Sequence, residues 1–289
     1  MNLPVLVLFG ASVLWGLTWW PLKALHNAGF EGVSLICVCF GLLALALTPV
    51  LAGQRARWYP RRGRMLLIAL CGGAANLAFA WAMIAGDVVR VMVLFYLLPV
   101  WGVLGGRFIL KERVDRWRWL GVTFAVLGAF IVLGGFAALR QPPTWIDAVA
   151  LSSGFFFALN NLVFRELQDV PVASKVGALC YGCFILSALT LLLTGASFTV
   201  GHSLTAWLGL AAYALCWMLA ANFGSQWGVT HLEAGRSSII IIMELVTAVI
   251  SAALILGKQL TPAEMTGGCL ILAAALIEAL RSPDVKSGF

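Results

Sequence analysis

Residues 91–118 read VMVLFYLLPVWGVLGGRFILKERVDRWR, an apolar run that ends in a cluster of basic residues. A membrane-spanning helix needs about 20 mostly apolar residues, and the run up to Leu110 is long enough. Basic residues directly after such a run are typical of the cytoplasmic end of a membrane helix. This stretch therefore predicts an integral membrane protein with a helix that ends on the cytoplasmic side.

The composition extends this interpretation to the whole chain. Hydrophobic residues make up 62% of the 289 residues and charged residues 11%, whereas soluble domains carry about 25% charged residues. One soluble core could not bury so much apolar surface. We expect an all-α integral membrane protein with ten transmembrane helices, at roughly 3–22, 32–52, 65–86, 88–110, 118–138, 145–165, 173–195, 204–229, 235–256 and 261–281.

The basic residues predict the orientation of these helices. Of the 19 lysines and arginines, only Lys23, Arg90, Arg140 and Lys258 fall in one alternate set of loops, and the other 15 fall in the second set. The rich set is expected to be cytoplasmic. Both termini should therefore lie in the cytoplasm, in a multi-pass protein of the cell inner membrane. Topology accounts for the net charge of +7, so nucleic acid is not an expected partner.

The two halves of the sequence resemble each other. Leu-Lys-Glu-Arg-Val at 110–114 matches Leu-Gly-Lys-Gln-Leu at 256–260, and Gly121 matches Gly267 at the same offset. This predicts two five-helix repeats, residues 1–140 and 141–289. Because each repeat has an odd number of helices, the repeats should enter the membrane in opposite directions, as in many secondary transporters.

At these motifs the chain resembles the EamA-type members of the drug/metabolite transporter superfamily, whose usual pattern is a Pro, a Leu-Gly-Glu and a Gly. The resemblance covers essentially the whole chain and is greatest to YddG-type exporters of aromatic and other amino acids. Lys111 stands in place of the first-half Gly, Lys258 in place of the second-half Glu, and Leu245 in place of a Pro. The resemblance implies transport by alternating access around a central cavity.

Polar groups inside a membrane are costly and usually face the protein interior or a cavity. They concentrate on the predicted helices 1, 3, 6, 8 and 9, which together with helix 4 should line the cavity, whereas helices 5 and 10 should be peripheral. Deep aromatic residues on the same helices suit apolar side chains of a solute. The candidate substrate-binding residues are Ser12, Trp15, Asn76, Phe79, Tyr96, Trp101, Phe157, Asn160 and Glu244.

Each of these residues also has a structural interpretation. Glu244 either carries a proton or contacts a substrate amine, or it is a hydrogen-bonded carboxyl that ties two helices together. Asn160 either binds a ligand or bonds to another helix. Asn161 points about 100° away from it and should face a different space. The indole N–H groups of Trp15 and Trp101 need a wet cavity or a polar neighbour.

Pro99 interrupts helix 4, where it forms either a gating hinge or a static kink. Aromatic residues elsewhere also fill space between helices, so not every ring in the predicted spans belongs to a site.

The favoured function is a secondary transporter that exports aromatic and other neutral amino acids or similar small metabolites. The chain has no GxxxxGK[ST] loop, which excludes ATP hydrolysis by that route. One alternative is a membrane sensor or assembly protein without transport. An intramembrane enzyme is a weaker alternative, because no pair of aspartates lies within the predicted spans and the three histidines lie near predicted ends. No cofactor, metal or disulfide framework is expected. The partners should be a small-molecule substrate and the lipid bilayer, and fused repeats are compatible with a monomer.

Overall fold

The computed structural model describes residues 3–30, 32–86, 88–140, 142–195, 197–201, 203–257 and 259–280, and all regular structure within them is helical. Ten helical segments follow one another in this part of the chain. They are α1 (Leu3–Leu17 and Trp19–Asn27), α2 (Gly32–Gly53), α3 (Arg62–Ala85, after the short turns Arg55–Trp58 and Tyr59–Arg61), α4 (Val88–Phe95 and Leu98–Phe108), α5 (Arg116–Val132, followed by the 3-10 turn Gly135–Leu139), α6 (Trp145–Glu166), α7 (Val172–Thr194), α8 (Leu204–Ala212, the π-helical turn Tyr213–Met218 and Leu219–His231), α9 (Ala234–Ile241 and Met243–Leu256) and α10 (Pro262–Leu280).

Eight of these segments, α1–α4 and α6–α9, are long and apolar enough to cross a membrane. The sequence predicted ten such helices. The fifth and tenth are present as helices but are shorter, with 17 residues in α5 and 19 in α10. At 1.5 Å per residue, α5 is about 26 Å long and α10 about 28 Å, slightly less than the roughly 30 Å of a hydrocarbon core.

Helices α5 and α10 pack closely on each other through glycine. A Cβ atom added at Gly128 would lie 2.7 Å from the Gly267 carbonyl oxygen, and one added at Gly267 would lie 2.5 Å from the Gly128 carbonyl oxygen. The main further contacts of this pair are with α4 and α9. Small residues at a helix crossing let the two backbones approach, which is a common packing device in membranes.

The other eight segments form the rest of the bundle. Helix α1 packs on α8 and α9, α2 on α7, α3 on α6 and α7, and α4 on α6 and α9. Leu8, Leu43, Ile68 and Phe164 belong to a core shared by most of these helices. A second core joins α4 and α9 to α5 and α10. Large apolar side chains such as Leu192 are also exposed on the outside of the bundle, where a bilayer would solvate them.

Three segments are broken near their middles. Helix α1 breaks at Thr18 and α4 at Tyr96 and Leu97. A proline follows each of these breaks by two or three residues, and its ring removes one backbone hydrogen bond. Helix α9 breaks at Ile242 without a proline, and there the Leu245 N–H bonds to Ile242, three residues back rather than four. The broken positions of α4 and α9 both lie deep within apolar segments.

Candidate substrate-binding site

The breaks in α4 and α9 are joined by a pair of polar side chains. Tyr96 lies at the break in α4, and Glu244 is the second residue after the break in α9. The phenol of Tyr96 is the hydrogen-bonding partner of the Glu244 carboxyl group. Tyr96 is buried and Glu244 is half-buried. A carboxyl group in the first turn of the segment Met243–Leu256 also lies at the positive end of that helix dipole.

Helix α1 lies directly against this pair. Gly16 has no room for a side chain, since an added Cβ would lie 2.5 Å from the Glu244 carbonyl oxygen and 2.6 Å from Thr247 Cβ. The neighbouring residue, Trp15, is half-buried and donates its Nε1–H to Ser225 Oγ of α8 at 3.1 Å. The indole therefore has the polar neighbour that a deep tryptophan needs, and Trp15 directly precedes the glycine that contacts the Glu244 turn.

The contact of α1 with α8 is reinforced at the break in α1. Trp217 lies in the π-helical turn of α8 and donates its Nε1–H to Thr18 Oγ1 at 3.1 Å. Single π-turns inside helices are frequent at functional sites. The indole groups of Trp15 and Trp217 thus bond in opposite directions between the same two helices, which fixes the position of α1 beside the site.

Three phenyl rings, one each from α3, α4 and α6, lie together next to Tyr96. The ring centroid of Phe95 lies 4.8 Å from that of Phe79 on α3 and 5.9 Å from that of Phe157 on α6. The same ring lies 5.4 Å from Tyr96. The structure thus brings three predicted residues, Phe79, Phe157 and Tyr96, together around Phe95. Phe95 was not among the candidates, although its position next to Tyr96 in a helix predicted to line the cavity was a usable signal.

Two further candidates bond to their own helices. Ser12 is buried, and its hydroxyl donates to the Leu8 carbonyl at 2.9 Å. Asn76 is half-buried, and its Nδ2 donates to the Gly72 carbonyl at 2.9 Å. Asn76 lies three residues before Phe79, and residues three apart share a helix face. Ser12 and Asn76 therefore remain predicted substrate contacts, with Asn76 on the face that carries Phe79.

Asn160 belongs to a buried cluster of three amides. Its Nδ2 donates to Asn161 Oδ1 at 3.3 Å, and Gln226 Nε2 lies 3.5 Å from the same oxygen. Asn160 Oδ1 and Gln226 Oε1 are buried without a partner among the described residues. The sequence predicted that Asn160 and Asn161 face different spaces, but their side chains contact each other. Both amides are long enough to bend toward a common neighbour, which a helical wheel does not represent.

Trp101 lies apart from the Tyr96–Glu244 pair. It lines a groove of about 230 Å³ between α4 and α6, together with Leu104, Phe108, Phe155 and Leu162 among others. Phe108 is 73% exposed and Phe155 is 41% exposed, so the groove opens to the outside of the bundle. The Trp101 Nε1 atom is buried without a partner among the described residues. Trp101 remains a predicted substrate contact, but its surroundings are apolar.

The ends of the helices hold charged groups that the sequence interpretation assigned to topology alone. We call the end of the bundle where α3, α5, α7 and α9 begin the basic end. There the Glu112 carboxylate accepts a hydrogen bond from the Ala234 N–H at 2.9 Å, and Arg165 Nε lies 3.7 Å from it. Arg118 and Glu233 form an ion pair beside it. Burial raises the pKa of the Glu112 carboxyl.

Lys175 is fully buried near the same end. Its Nζ donates to the carbonyl oxygens of Phe164 at 2.8 Å and Leu167 at 2.9 Å, and to Thr230 Oγ1 at 3.0 Å. The last carbonyl groups of a helix have no partner within the helix. Lys175 supplies donors at the end of α6 and links it to α8, so its role in the described structure is to join helix ends.

Helical segments that cross a membrane, in two successive similar halves with a polar pair at two broken helices, are typical of secondary transporters. The chain belongs to the EamA-like transporter family, which matches residues 2–134 and again residues 144–279. It is therefore a multi-pass membrane transporter of the drug/metabolite class and not an enzyme.

Two known proteins resemble this chain over most of its length. A probable terminal-alkyne amino-acid exporter of Streptantibioticus cattleyicolor is 24% identical over 268 residues, which cover 88% of this chain and 85% of that protein. A protein of known crystal structure superposes with a TM-score of 0.80 and 17% sequence identity, over 96% of both chains. The second likeness shows the fold alone.

Proposed function

We propose that this protein is a secondary transporter that exports neutral amino acids, aromatic ones among them, or similar small metabolites by alternating access. The Tyr96–Glu244 pair carries the proposal. A carboxyl group is a suitable partner for the amino group of such a solute, and the rings of Phe79, Phe157 and Trp15 are suitable neighbours for its apolar side chain. Similarity to an amino-acid exporter supports the same class of substrate.

The proposed architecture is ten transmembrane helices in two inverted repeats, residues 1–140 and 141–289. An offset of 146 residues maps the first part of α4, Val88–Phe95, onto the first part of α9, Ala234–Ile241. Exchanging the halves also converts the contact of α1 with α8 into that of α6 with α3, and the contact of α1 with α9 into that of α6 with α4. The contacts α2–α7, α4–α9 and α5–α10 map onto themselves. An in-plane pseudo-twofold axis has these consequences.

We place the basic end, and with it both termini, in the cytoplasm of the cell, with the bundle in the inner membrane. Support comes from the arginines and lysines that cluster at the loops of this end, in agreement with the positive-inside tendency. Several of them pair with carboxylates of neighbouring loops. Arg61 bonds to Asp169 at 2.8 Å and thereby lowers the pKa of that carboxyl, and Arg64 bonds to Glu166 at 2.8 Å.

In the proposed mechanism, the substrate amine replaces Tyr96 as the partner of the Glu244 carboxylate. Helices α4 and α9 then move at their breaks. Pro99 keeps α4 interrupted, because its nitrogen cannot bond to the Phe95 carbonyl. Unwound turns at the middle of a membrane are tolerated where they line a cavity. The breaks are thus suited to act as hinges, and Glu244 links the solute to one of them.

A flux assay tests the proposed function. Purified protein in lipid vesicles would be offered labelled tryptophan, phenylalanine and leucine, and saturable exchange should be observed. Glu244→Gln and Trp15→Ala should each lower the flux while the protein inserts normally. Glu166→Gln, which removes a carboxylate at the basic end, and Trp119→Ala, which removes an exposed indole, are the matched controls and should transport normally.

Three outcomes would count against the proposal. Saturable flux for none of the amino acids would refute the substrate class. Undiminished flux in Glu244→Gln would refute the site. Normal insertion with no flux of any solute would favour the sensor or assembly protein instead.

A further inference from the structure

We propose that Glu112 is the latch of the cytoplasmic gate and that its carboxylate holds the beginning of α9 against the α4–α5 loop when that side of the transporter is closed. This inference rests on the proposed transport function, since a gate has meaning only for a transport path. Glu112 would then be a positioning residue that never touches the substrate.

The carboxylate is placed to cap a helix. Both of its oxygens lie within reach of the Ala234 N–H, at 2.9 and 3.1 Å, and Ala234 is the first residue of α9. The first amides of a helix have no partner within the helix and form the positive end of its dipole. Glu112, which lies in the α4–α5 loop, therefore caps α9 from a distant part of the chain. A helix is more usually capped by a side chain directly before its first residue.

The surrounding chain makes room for this carboxylate. A Cβ added at Gly106 would lie 2.6 Å from Glu112 Oε2, so a side chain at this position would displace the carboxylate. The Glu112 N–H bonds back to the Gly106 carbonyl at 2.9 Å. Lys111 adopts a φ of 57°, a left-handed conformation that turns the chain sharply after α4. The Glu112 side chain is consequently only 10% exposed although it lies in a loop.

The contact between Glu112 and Ala234 lies at the end of a tightly packed part of the bundle. All eight residues of Ala234–Ile241 are buried. Ser238 in this stretch packs against Gly102 of α4 so closely that an added Cβ at Gly102 would lie 2.5 Å from Ser238 Oγ. Glu244 follows three residues after this stretch ends. These contacts leave no room between α4 and the beginning of α9, so a path between the two helices opens only if the beginning of α9 moves.

Several charged groups face the latch from the packed elements. Arg165 of α6 and Arg118 of α5 bring positive charge, Glu233 brings negative charge, and Arg236 is carried by α9 itself. Burial is the largest cause that raises the pKa of Glu112. A carboxyl whose pKa is raised in the closed state binds its proton more tightly there than in water. Acidification should therefore strengthen closure further, while the hydrogen bond from Ala234, which acts on the pKa in the opposite direction, keeps the ionised carboxylate bound as well.

The equivalent position in the second half of the sequence carries a lysine and not a carboxylate. The offset of 146 residues places Lys258 where Glu112 stands, and Val88, the first residue of α4, where Ala234 stands. Lys258 itself lies outside the described residues. An ammonium group only donates hydrogen bonds and cannot cap a helix amide. The contact made at this position should therefore differ between the two sides of the transporter.

Cysteine accessibility tests the latch without any substrate. Ser237→Cys places a thiol in the first turn of α9, behind the latch, where the side chain is buried. Inside-out membrane vesicles expose the cytoplasmic side to a membrane-impermeant maleimide, and the chain without this substitution gives the background. Glu112→Ala should accelerate labelling by roughly ten- to a hundredfold, as expected for the loss of a hydrogen bond to a charged acceptor. Glu166→Ala, at an exposed carboxylate of the same end, is the control and should not.

Glu112→Gln keeps an acceptor oxygen for Ala234 and mimics the neutral form. It should label more slowly than Glu112→Ala. The rate of labelling with native Glu112, divided by the rate with Glu112→Gln, should fall as the pH is lowered from neutrality, over a range that lies above the ordinary glutamate pKa of about 4.3. Ser251→Cys, a buried position near the other end of α9, reports unfolding, because a disordered protein would label faster at both cysteines.

The results separate the latch from the transport function. Unchanged labelling in Glu112→Ala would overturn the latch, and so would equal acceleration at Ser237→Cys and Ser251→Cys. Labelling of Glu112→Gln as fast as that of Glu112→Ala would overturn its assignment to the Ala234 hydrogen bond. Accelerated labelling in a protein that moves no amino acid would keep the latch and refute the proposed substrate.

Discussion

Replacing Gly16 by alanine should push α1 away from the Glu244 turn. The added Cβ would lie 2.5 Å from the Glu244 carbonyl oxygen and 2.6 Å from Thr247 Cβ, whereas nonbonded carbon contacts are optimal at about 3.5–4.0 Å. A backbone oxygen and a branched Cβ cannot rotate away, so the helices must separate by about 1 Å. Overpacking of this kind costs about 1–3 kcal/mol, which is roughly 5- to 150-fold in an equilibrium constant.

Gly10→Ala is the matched control for this experiment. Gly10 lies in the same helix, and an added Cβ there meets nothing within 4 Å. Both substitutions gain about 1 kcal/mol of helix propensity, so the difference between the two variants isolates the clash. Thermal unfolding in detergent should show a lower midpoint for Gly16→Ala than for Gly10→Ala, and flux in vesicles should be lower as well. Equal midpoints and equal flux would refute the close packing of α1 on α9.

Three further predictions concern single groups of the described structure. Lys175→Met should lower the thermal midpoint, because it removes the ammonium donor from the buried Phe164 and Leu167 carbonyls, at about 1–3 kcal/mol for a carbonyl left unpaired. The exposed control Lys23→Met should not lower it, and equal midpoints would exclude the capping role. Lys111→Gly should raise the midpoint by the equivalent of about 1 kcal/mol, because a φ of 57° strains a side-chain-bearing residue, and a lower midpoint would contradict this. Tyr96→Phe should lower the KM for amino-acid flux roughly tenfold, because the substrate amine no longer competes with the Tyr96 hydroxyl for Glu244. The exposed control Tyr59→Phe should leave KM unchanged, and an unchanged KM in Tyr96→Phe would exclude the pair from the site.

The sequence was a good guide to the helices because the bilayer sets their length. The predicted spans 32–52 and 173–195 agree within a residue or two with Gly32–Gly53 and Val172–Thr194. It was a poorer guide to continuity. Pro99 pointed to an interruption in α4, but the break in α9 at Ile242 occurs in an unbroken run of isoleucines. No proline or glycine lies at this position, so the local sequence could not have predicted the break.

The candidate site was predictable only in part. Tyr96 and Glu244 were named as candidates because a polar group deep in a membrane usually faces a cavity or a polar partner. Their pairing could not be predicted, because it depends on how two helices cross. Trp101 was named by the same rule but lies in a groove that opens to the outside of the bundle. The sequence could not show this, because apolar helices carry no periodicity that separates an inner face from a lipid-facing one. Lys175 was missed because basic residues at helix ends already had an explanation in topology. Glu112 was missed because it was interpreted only as part of the repeat motif at 110–114.

The first part of α9 is held at two points by α4 and the loop that follows it. Glu112, which follows α4, holds it at Ala234, and Tyr96, within α4, holds it just beyond its end at Glu244. The two points are ten residues apart, about 15 Å along a helix. A substrate amine that replaces Tyr96 as the partner of Glu244 breaks only one of these contacts, so binding alone should loosen α9 without opening the cytoplasmic side. Removing both contacts should therefore accelerate labelling at Ser237→Cys by about the product of the accelerations in Tyr96→Phe and Glu112→Ala, since the free energies of two separate contacts that break in one motion add. If Tyr96→Phe accelerated labelling neither alone nor in combination with Glu112→Ala, the two contacts would act on separate motions, and Tyr96 would have no part in the gate.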